Sequence, residues 1–160
     1  MKTLEVFGSA EKAVVDDCDF DEMSRYSWSL TGDGYAKTNV KKDGGYTTRL
    51  LHTMVADRAG LAGEIDHRDR VKLNCRRKNL RPCTRSQNRA NIGPHRSNKL
   101  GVRGVYFSCG KFKAYIRKDG KRTYLGGFDT LEEAAETYRK AASDLFGEFA
   151  YHRSSDADLP

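Results

Sequence analysis

From Gly101 onward, apolar and polar side chains alternate through three short runs, a period-two pattern that commits this part of the chain to an antiparallel sheet. Val105 and Phe107, then Phe112, Ala114 and Ile116, then Leu125 supply one apolar face. Tyr106, Lys113, Tyr115, Arg117, Arg122 and Tyr124 fall on the other. Lys118-Asp119-Gly120-Lys121 joins the last two runs as a tight hairpin. Thr130-Leu131-Glu132-Glu133 then has the form of a capping box. Behind it Leu131, Ala134, Ala135, Tyr138, Ala142, Leu145 and Phe146 recur at helical spacing until Gly147. Three strands with one helix across the back leave a cationic, aromatic face exposed.

The whole chain has 160 residues, enough for one ordinary domain or two small ones. Charged residues make up 32% of it, which suits small cores under much solvated surface. The charge is uneven: residues 1–33 carry 3 basic and 8 acidic side chains, and the remainder carries 26 basic against 14 acidic. From Asp66 to Arg103 there are 12 basic residues and 2 acidic ones. A polyanionic partner accounts for such a stripe, because neutralising phosphates releases condensed counterions. No apolar stretch has the length of a membrane span, and MKTLEVFGSAEK lacks a signal-peptide apolar block. The expectation is therefore a cytoplasmic protein without a membrane partner. Cys18, Cys75, Cys83 and Cys109 form no CxxC pair, so all four are read as reduced and no structural zinc is expected.

The N-terminal third reads as a strand at Val14–Val15, a short helix over Phe20–Tyr26 and a strand at Trp28. A hairpin follows within residues 34–51, bounded by Gly32-Asp33-Gly34 and turning at Lys42-Asp43-Gly44-Gly45. His52–Ala59 reads as a helix closed by Gly60, with Met54, Val55 and Ala59 toward a core. Residues 93–100, with Gly93, Pro94, Ser97 and Asn98, read as a linker, and 153–160 as a disordered tail. His95 and His152 are read as solvated histidines; His52 is left open between a structural role, support of the active-site fold and contact with a phosphate.

Residues 64–91 carry the chemistry. Glu64-Ile65-Asp66-His67 reads as a short strand ending in a carboxylate beside an imidazole, and Asn79-Leu80 opens a second extended piece. Thr84-Arg85-Ser86-Gln87 matches a capping box, so a helix begins there and carries Asn88 near its first turn. The outline is strand, loop, strand, helix.

This ordered set resembles the HNH endonuclease family, particularly its phage-type homing enzymes, and the likeness covers most of residues 49–92. The resemblance implies a ββα-metal finger with Asp66 and Asn88 as metal ligands, His67 as general base and Asn79 as the structural middle residue. A hard divalent ion, magnesium first and manganese second, suits carboxylate and amide oxygens. A neutral imidazole can take a proton from water, and an amide that both donates and accepts can clamp the loop that aims it. Related enzymes usually carry a glycine in that loop; here it reads Arg68-Asp69-Arg70-Val71.

The C-terminal unit resembles the plant ethylene-response-factor type DNA-binding domain, the AP-two domain. Arg103-Gly104-Val105, Tyr124-Leu125-Gly126, Phe128-Asp129-Thr130, Glu133-Ala134-Ala135 and Phe149-Ala150 carry the likeness. It implies a sheet laid in the major groove of double-stranded DNA, with Arg103, Tyr106, Arg117, Arg122 and Tyr124 at positions that touch bases or phosphates; Lys113 and Tyr115, on the same face by the alternation, join them as candidate DNA-binding residues. The fold expected is thus α+β: an N-terminal ββα-metal nuclease module over residues 1–92, then a small three-stranded sheet packed on one helix over 101–152. The function expected is metal-dependent DNA cleavage with no small-molecule substrate. The alternative is a non-enzymatic DNA-binding regulator with a decayed nuclease module.

Overall fold

The computed structural model describes residues 1–151; His152 and the expected tail lie outside the described residues. The chain divides between Thr84 and Arg85 into two compact units.

The first unit runs β1 (Lys2–Leu4), β2 (Val6–Phe7), β3 (Ala13–Val15), α1 (Asp17–Met23), β4 (Trp28–Leu30), β5 (Ala36–Lys42), β6 (Gly45–Leu50), α2 (Leu51–Arg58), β7 (Glu64–His67) and, after a 3-10 turn at Arg77–Asn79, β8 (Leu80–Cys83). Strand β2 lies parallel to β4, and the sheet continues antiparallel through β5 to β6. The β7–β8 ladder is antiparallel and sets Asp66 opposite Arg81 and His67 opposite Leu80. Helix α1 starts earlier than its apolar residues indicate, at Asp17, because Asp17 and Asp19 fall in its first turn, where carboxylates suit the positive helix end. Trp28 donates its indole N–H to the Met23 carbonyl at 2.9 Å and closes α1 onto β4. Helix α2 turns Leu51, His52, Val55 and Ala56 inward. Ala59, expected in the core, is instead the half-exposed C-cap of that helix. Strands β1 and β2 gave no pattern in the sequence, since two or three residues are too few to show alternation.

The core gathers Leu4, Val15, Met23, Trp28, Leu51 and Val55 with Leu73, Cys75 and Leu80. The last three flank or belong to the β7–β8 connection, so the finger shares the core of the N-terminal strands. Two backbone hydrogen bonds, Val14 N–H to Leu73 O and Cys75 N–H to Val14 O, both at 2.8 Å, pin that connection to β3.

The second unit contains α3 (Arg85–Asn91), β9 (Val105–Ser108), β10 (Lys111–Lys118), β11 (Lys121–Phe128) and α4 (Leu131–Phe146). The three strands form an antiparallel sheet in the order β11-β10-β9, and α4 packs on it through Ala134, Tyr138, Ala142 and Phe146. The fold is α+β. Asp119 and Gly120 take φ of 49° and 83°, the left-handed pair that a two-residue hairpin needs. Thr130 and Glu133 complete the capping box at the start of α4. Gly104 has φ of 71°, and a Cβ there would meet the Tyr138 ring at 2.2 Å and the Tyr115 carbonyl at 2.4 Å, so only glycine fits.

Two apolar assignments are corrected. Phe107 is 59% exposed and stacks on its cross-strand partner Phe112, ring centroids 4.9 Å apart, instead of entering the core. Leu145 is also exposed, because the face of α4 that meets the sheet passes through Ala142 and Phe146. Ala90 of α3 joins Ile116, Ala142, Phe146 and Ala150 in one cluster, which seats α3 in the second unit. Within residues 93–100, Asn98 N–H donates to His95 O and its side-chain amide to Val102 O, and Gly93 lies against the Tyr151 ring.

Candidate nuclease site and nucleic-acid face

Asp66 and His67 end β7 side by side, both buried. Arg81, directly across the ladder, grips Oδ2 of Asp66 with Nε at 2.9 Å and Nη2 at 2.8 Å. A fully desolvated guanidinium–carboxylate pair of this kind fixes geometry, since either partner alone would be a costly buried charge.

His67 is only 4% exposed. Its ring meets that of His52 edge-on at 4.9 Å and that of Tyr35 at 6.0 Å, and its Nε2 faces the Cys75 thiol at 4.0 Å. Burial lowers the pKa of His67 below the ordinary histidine value, so the imidazole is neutral at neutral pH. Burial, followed by the neighbouring His67, takes His52 down to about 4. Burial pushes the Cys75 thiol up to about 12, which keeps it protonated beside the ring. Tyr35 likewise stays a neutral phenol, raised by burial and by the nearby carboxylates of Asp33, Asp66 and Glu64.

The loop after His67 is held by Asn79. Its side-chain amide donates to Asp69 Oδ1 at 2.8 Å and to Asn74 O at 2.7 Å, and its Oδ1 accepts from Asp69 N–H at 3.1 Å. Its carbonyl accepts from Arg68 N–H at 2.9 Å. Burial would raise the pKa of Asp69, but hydrogen bonds from Val71 N–H, Asn74 and Asn79 outweigh it and hold the carboxyl below its usual range. Arg70 takes φ of 65°, so this knot supports in an arginine the left-handed turn that a glycine would adopt without strain.

The turn carrying Asn79 is fastened to α1. Arg77 donates to both oxygens of the fully buried Asp19, each at 2.7 Å, and Arg58 reaches the same carboxylate at 3.1 Å. Arg77 N–H donates to Asp16 Oδ2 at 2.8 Å.

Sequence reasoning did not find Arg81, Asp69 or Cys75, nor the packing of Tyr35 and His52 on His67. The pairing of Asp66 with Arg81 was findable from the two short strands once their register was assumed. The contacts of Tyr35 and Asp19 join residues too far apart in the chain to leave a local signal. Asn88 lies half-buried on α3, within the second unit. None of the four cysteines is in a disulfide. Among the described residues no group of three or more His, Cys, Asp or Glu side chains is arranged to hold a metal ion, and no helix is long and apolar enough to cross a membrane.

In the second unit the register places Lys113 opposite Tyr106, Tyr115 opposite Tyr124 and Arg117 opposite Arg122, all on the sheet face away from α4. The rings of Tyr106, Tyr115 and Tyr124 form a row with centroid spacings of 6.2 and 5.0 Å. The Arg122 guanidinium lies 3.7 Å from the Tyr115 ring centroid and 5.7 Å from that of Tyr106, so the aromatic row pre-orients it. Arg103 precedes β9 and donates from Nη1 to the carbonyls of Ala90 and Ile92, tying the end of α3 to the sheet unit.

Residues 62–90, which include the buried Asp66-His67 pair and the loop that Asn79 clamps, match the HNH endonuclease family model. An uncharacterized HNH endonuclease of Acanthamoeba polyphaga mimivirus is 36% identical over 132 residues, 80% of this chain and 67% of that protein. The chain belongs to the HNH endonuclease family. Part of it is also similar to plant proteins. An AP2-like ethylene-responsive transcription factor of Arabidopsis thaliana is 38% identical over 70 residues, 42% of this chain and 14% of that one. An APETALA2-like protein of Oryza sativa subsp. indica is 44% identical over 57 residues, 34% of this chain and 13% of that one. No solved structure matches the chain.

Proposed function

We propose that the protein is a metal-dependent DNA endonuclease of homing type, in which the finger cuts and the C-terminal sheet holds and reads double-stranded DNA. The observation that carries this reading is the neutral, buried His67 beside Asp66, on a loop clamped by Asn79, in a chain of the HNH endonuclease family. His67 acts as general base, taking the proton of the attacking water; a positioned base typically contributes about 10²- to 10⁴-fold. Asn79 and Asp69 are positioning residues that aim the imidazole, and Arg81 sets the carboxylate of Asp66.

Asp66 and Asn88, the residues that the family resemblance names as ligands, offer a carboxylate and an amide oxygen, donor types that suit a hard divalent ion. When bound, magnesium or manganese would supply charge stabilisation at the scissile phosphate and its leaving oxygen. On the sheet, Tyr106, Lys113, Tyr115, Arg117, Arg122 and Tyr124 face the duplex. Guanidinium groups suit guanine edges and phosphates alike. Arg103, committed to two backbone carbonyls, supports this face more than it reads from it.

The test is incubation of the purified protein with supercoiled plasmid and magnesium, with and without excess chelator. Conversion to open circle or linear DNA, stopped by chelation and restored by added magnesium or manganese, is expected. Duplex binding without cleavage under either ion would instead favour the non-enzymatic regulator. Undiminished cleavage in chelator would remove the metal from the account.

A further inference from the structure

Helix α3, which closes the nuclease motif, presents a second kind of surface within the unit where it is seated. Arg85 and Arg89 stand one helical turn apart and so share a face. With Ser86 between them they form one wall of a cleft of about 370 Å³, whose other walls are Arg103, Arg117 and Asp119. The cleft is built, not incidental. The Ser86 hydroxyl accepts the Asp119 N–H at 3.1 Å, which joins α3 to the β10–β11 turn. The Arg103 guanidinium is fixed by the Ala90 and Ile92 carbonyls.

Four guanidinium groups against one carboxylate leave a net cationic cleft. Among the described residues Arg85, Arg89 and Arg117 have no carboxylate partner. Like charges gathered this closely repel unless an anion lies among them. The cleft also continues the sheet face, because Arg117 is the register partner of Arg122. A duplex lying on the tyrosine row would carry its backbone past Arg117, and DNA offers one phosphate charge per roughly 1.7 Å of axis.

We propose that Arg85, Arg89 and Arg117 form a backbone-phosphate clamp for duplex DNA, so that the helix of the nuclease motif contributes to holding the substrate from within the sheet unit. The clamp rests on the functional reading above and adds to it a site outside the tyrosine row. It reads no base: planar, forked guanidinium groups match phosphate oxygens, and phosphate contacts position a protein on DNA without carrying sequence information.

The experiment measures binding of the full-length Arg85→Gln/Arg89→Gln variant to a random-sequence duplex by fluorescence anisotropy over a range of salt concentrations. Wild type, Arg117→Gln and an Arg85→Lys/Arg89→Lys variant run in parallel, and thermal midpoints confirm folding. Both side chains are exposed, so the midpoint should hold. The expected result is an affinity loss of about tenfold or more at ~0.15 M salt and a log–log salt slope shallower by about two, the loss of two phosphate contacts at roughly 0.9 each. Arg117→Gln should show about half that change in slope, and the lysine variant should keep the wild-type slope. Unchanged affinity and slope in both glutamine variants, with the wild type binding and nicking normally, would overturn the clamp and leave the nuclease reading intact. A wild type that fails to bind duplex DNA would overturn both.

Discussion

Arginine serves opposite ends in the two units. In the first, Arg77 and Arg58 converge on Asp19, whose side chain has no exposure, and Arg81 grips the buried Asp66. Arg77 locks the finger to its scaffold, and Arg81 ties the finger's two strands together. In the second, Arg85, Arg89, Arg117 and Arg122 are exposed, and among the described residues none is paired to a carboxylate. One stabilises a tyrosine row and three line a cleft. The basic stripe from Asp66 to Arg103, which composition presents as one polyanion-binding surface, therefore divides: its first half includes structural ion pairs, and its second half faces outward. Charge counts locate cations, but burial and partners decide whether they are available to a ligand.

The sharpest way to break this contrast is to remove Arg77. Arg77→Ala leaves the Asp19 carboxylate buried with Arg58 as its remaining cation, and should cost about 2–4 kcal/mol in urea unfolding at neutral pH. Arg122→Ala should stay within about 0.5 kcal/mol of wild type. The pH dependence follows in sign. Hydrogen bonds from Arg77, then Arg58, outweigh burial and hold Asp19 below the ordinary carboxyl value. Its contribution is complete above the unfolded pKa of about 3.9 and is lost as pH falls through the lower folded value. Unfolding curves for Arg77→Ala and wild type should therefore converge in acid below that range. Parallel curves at all pH values would show that the pair is not what holds the finger.

In the second unit the corresponding test is one of packing, at Gly104. Gly104→Ala forces a Cβ into the Tyr138 ring and the Tyr115 carbonyl at a left-handed backbone position. It should destabilise that unit by about 2–4 kcal/mol. Proteolysis with identification of fragments would localise the damage to residues 85 onward, and a uniformly resistant variant would contradict the packing described. The smallest effect is expected at Arg70. Arg70→Gly relieves a left-handed φ but frees the unfolded chain, so stability should change by no more than about 1 kcal/mol, toward gain. A loss well beyond that in thermal unfolding would mean that the arginine side chain, not the Asn79–Asp69 knot, maintains the turn.

Much of this architecture was legible in the sequence because its signals are local. The alternation in 101–128, the Thr130 capping box and the Asp119-Gly120 turn each depend on residues a few positions apart, and the sheet and α4 appear where they indicate. Asp66-His67, Asn79 and a helix carrying Asn88 were legible for the same reason, as an ordered motif within one short stretch. What escaped is set by long-range packing. Asp19 meets Arg77 across 58 positions, and Tyr35 and His52 reach His67 from a hairpin and a helix that showed no chemistry of their own. The exposure of Phe107 escaped because period-two alternation assigns a face but not how far the covering helix extends. The seating of α3 on the second unit through Ala90 has no signature in a seven-residue helix.

The central claim is that His67 performs the chemistry and the sheet unit does the holding. Its most direct test compares wild type and His67→Ala for nicking of supercoiled plasmid in magnesium, with duplex affinity measured on the same preparations. The account predicts that cleavage falls by at least about 10²-fold while affinity stays within about twofold. Comparable nicking by the two proteins would contradict it.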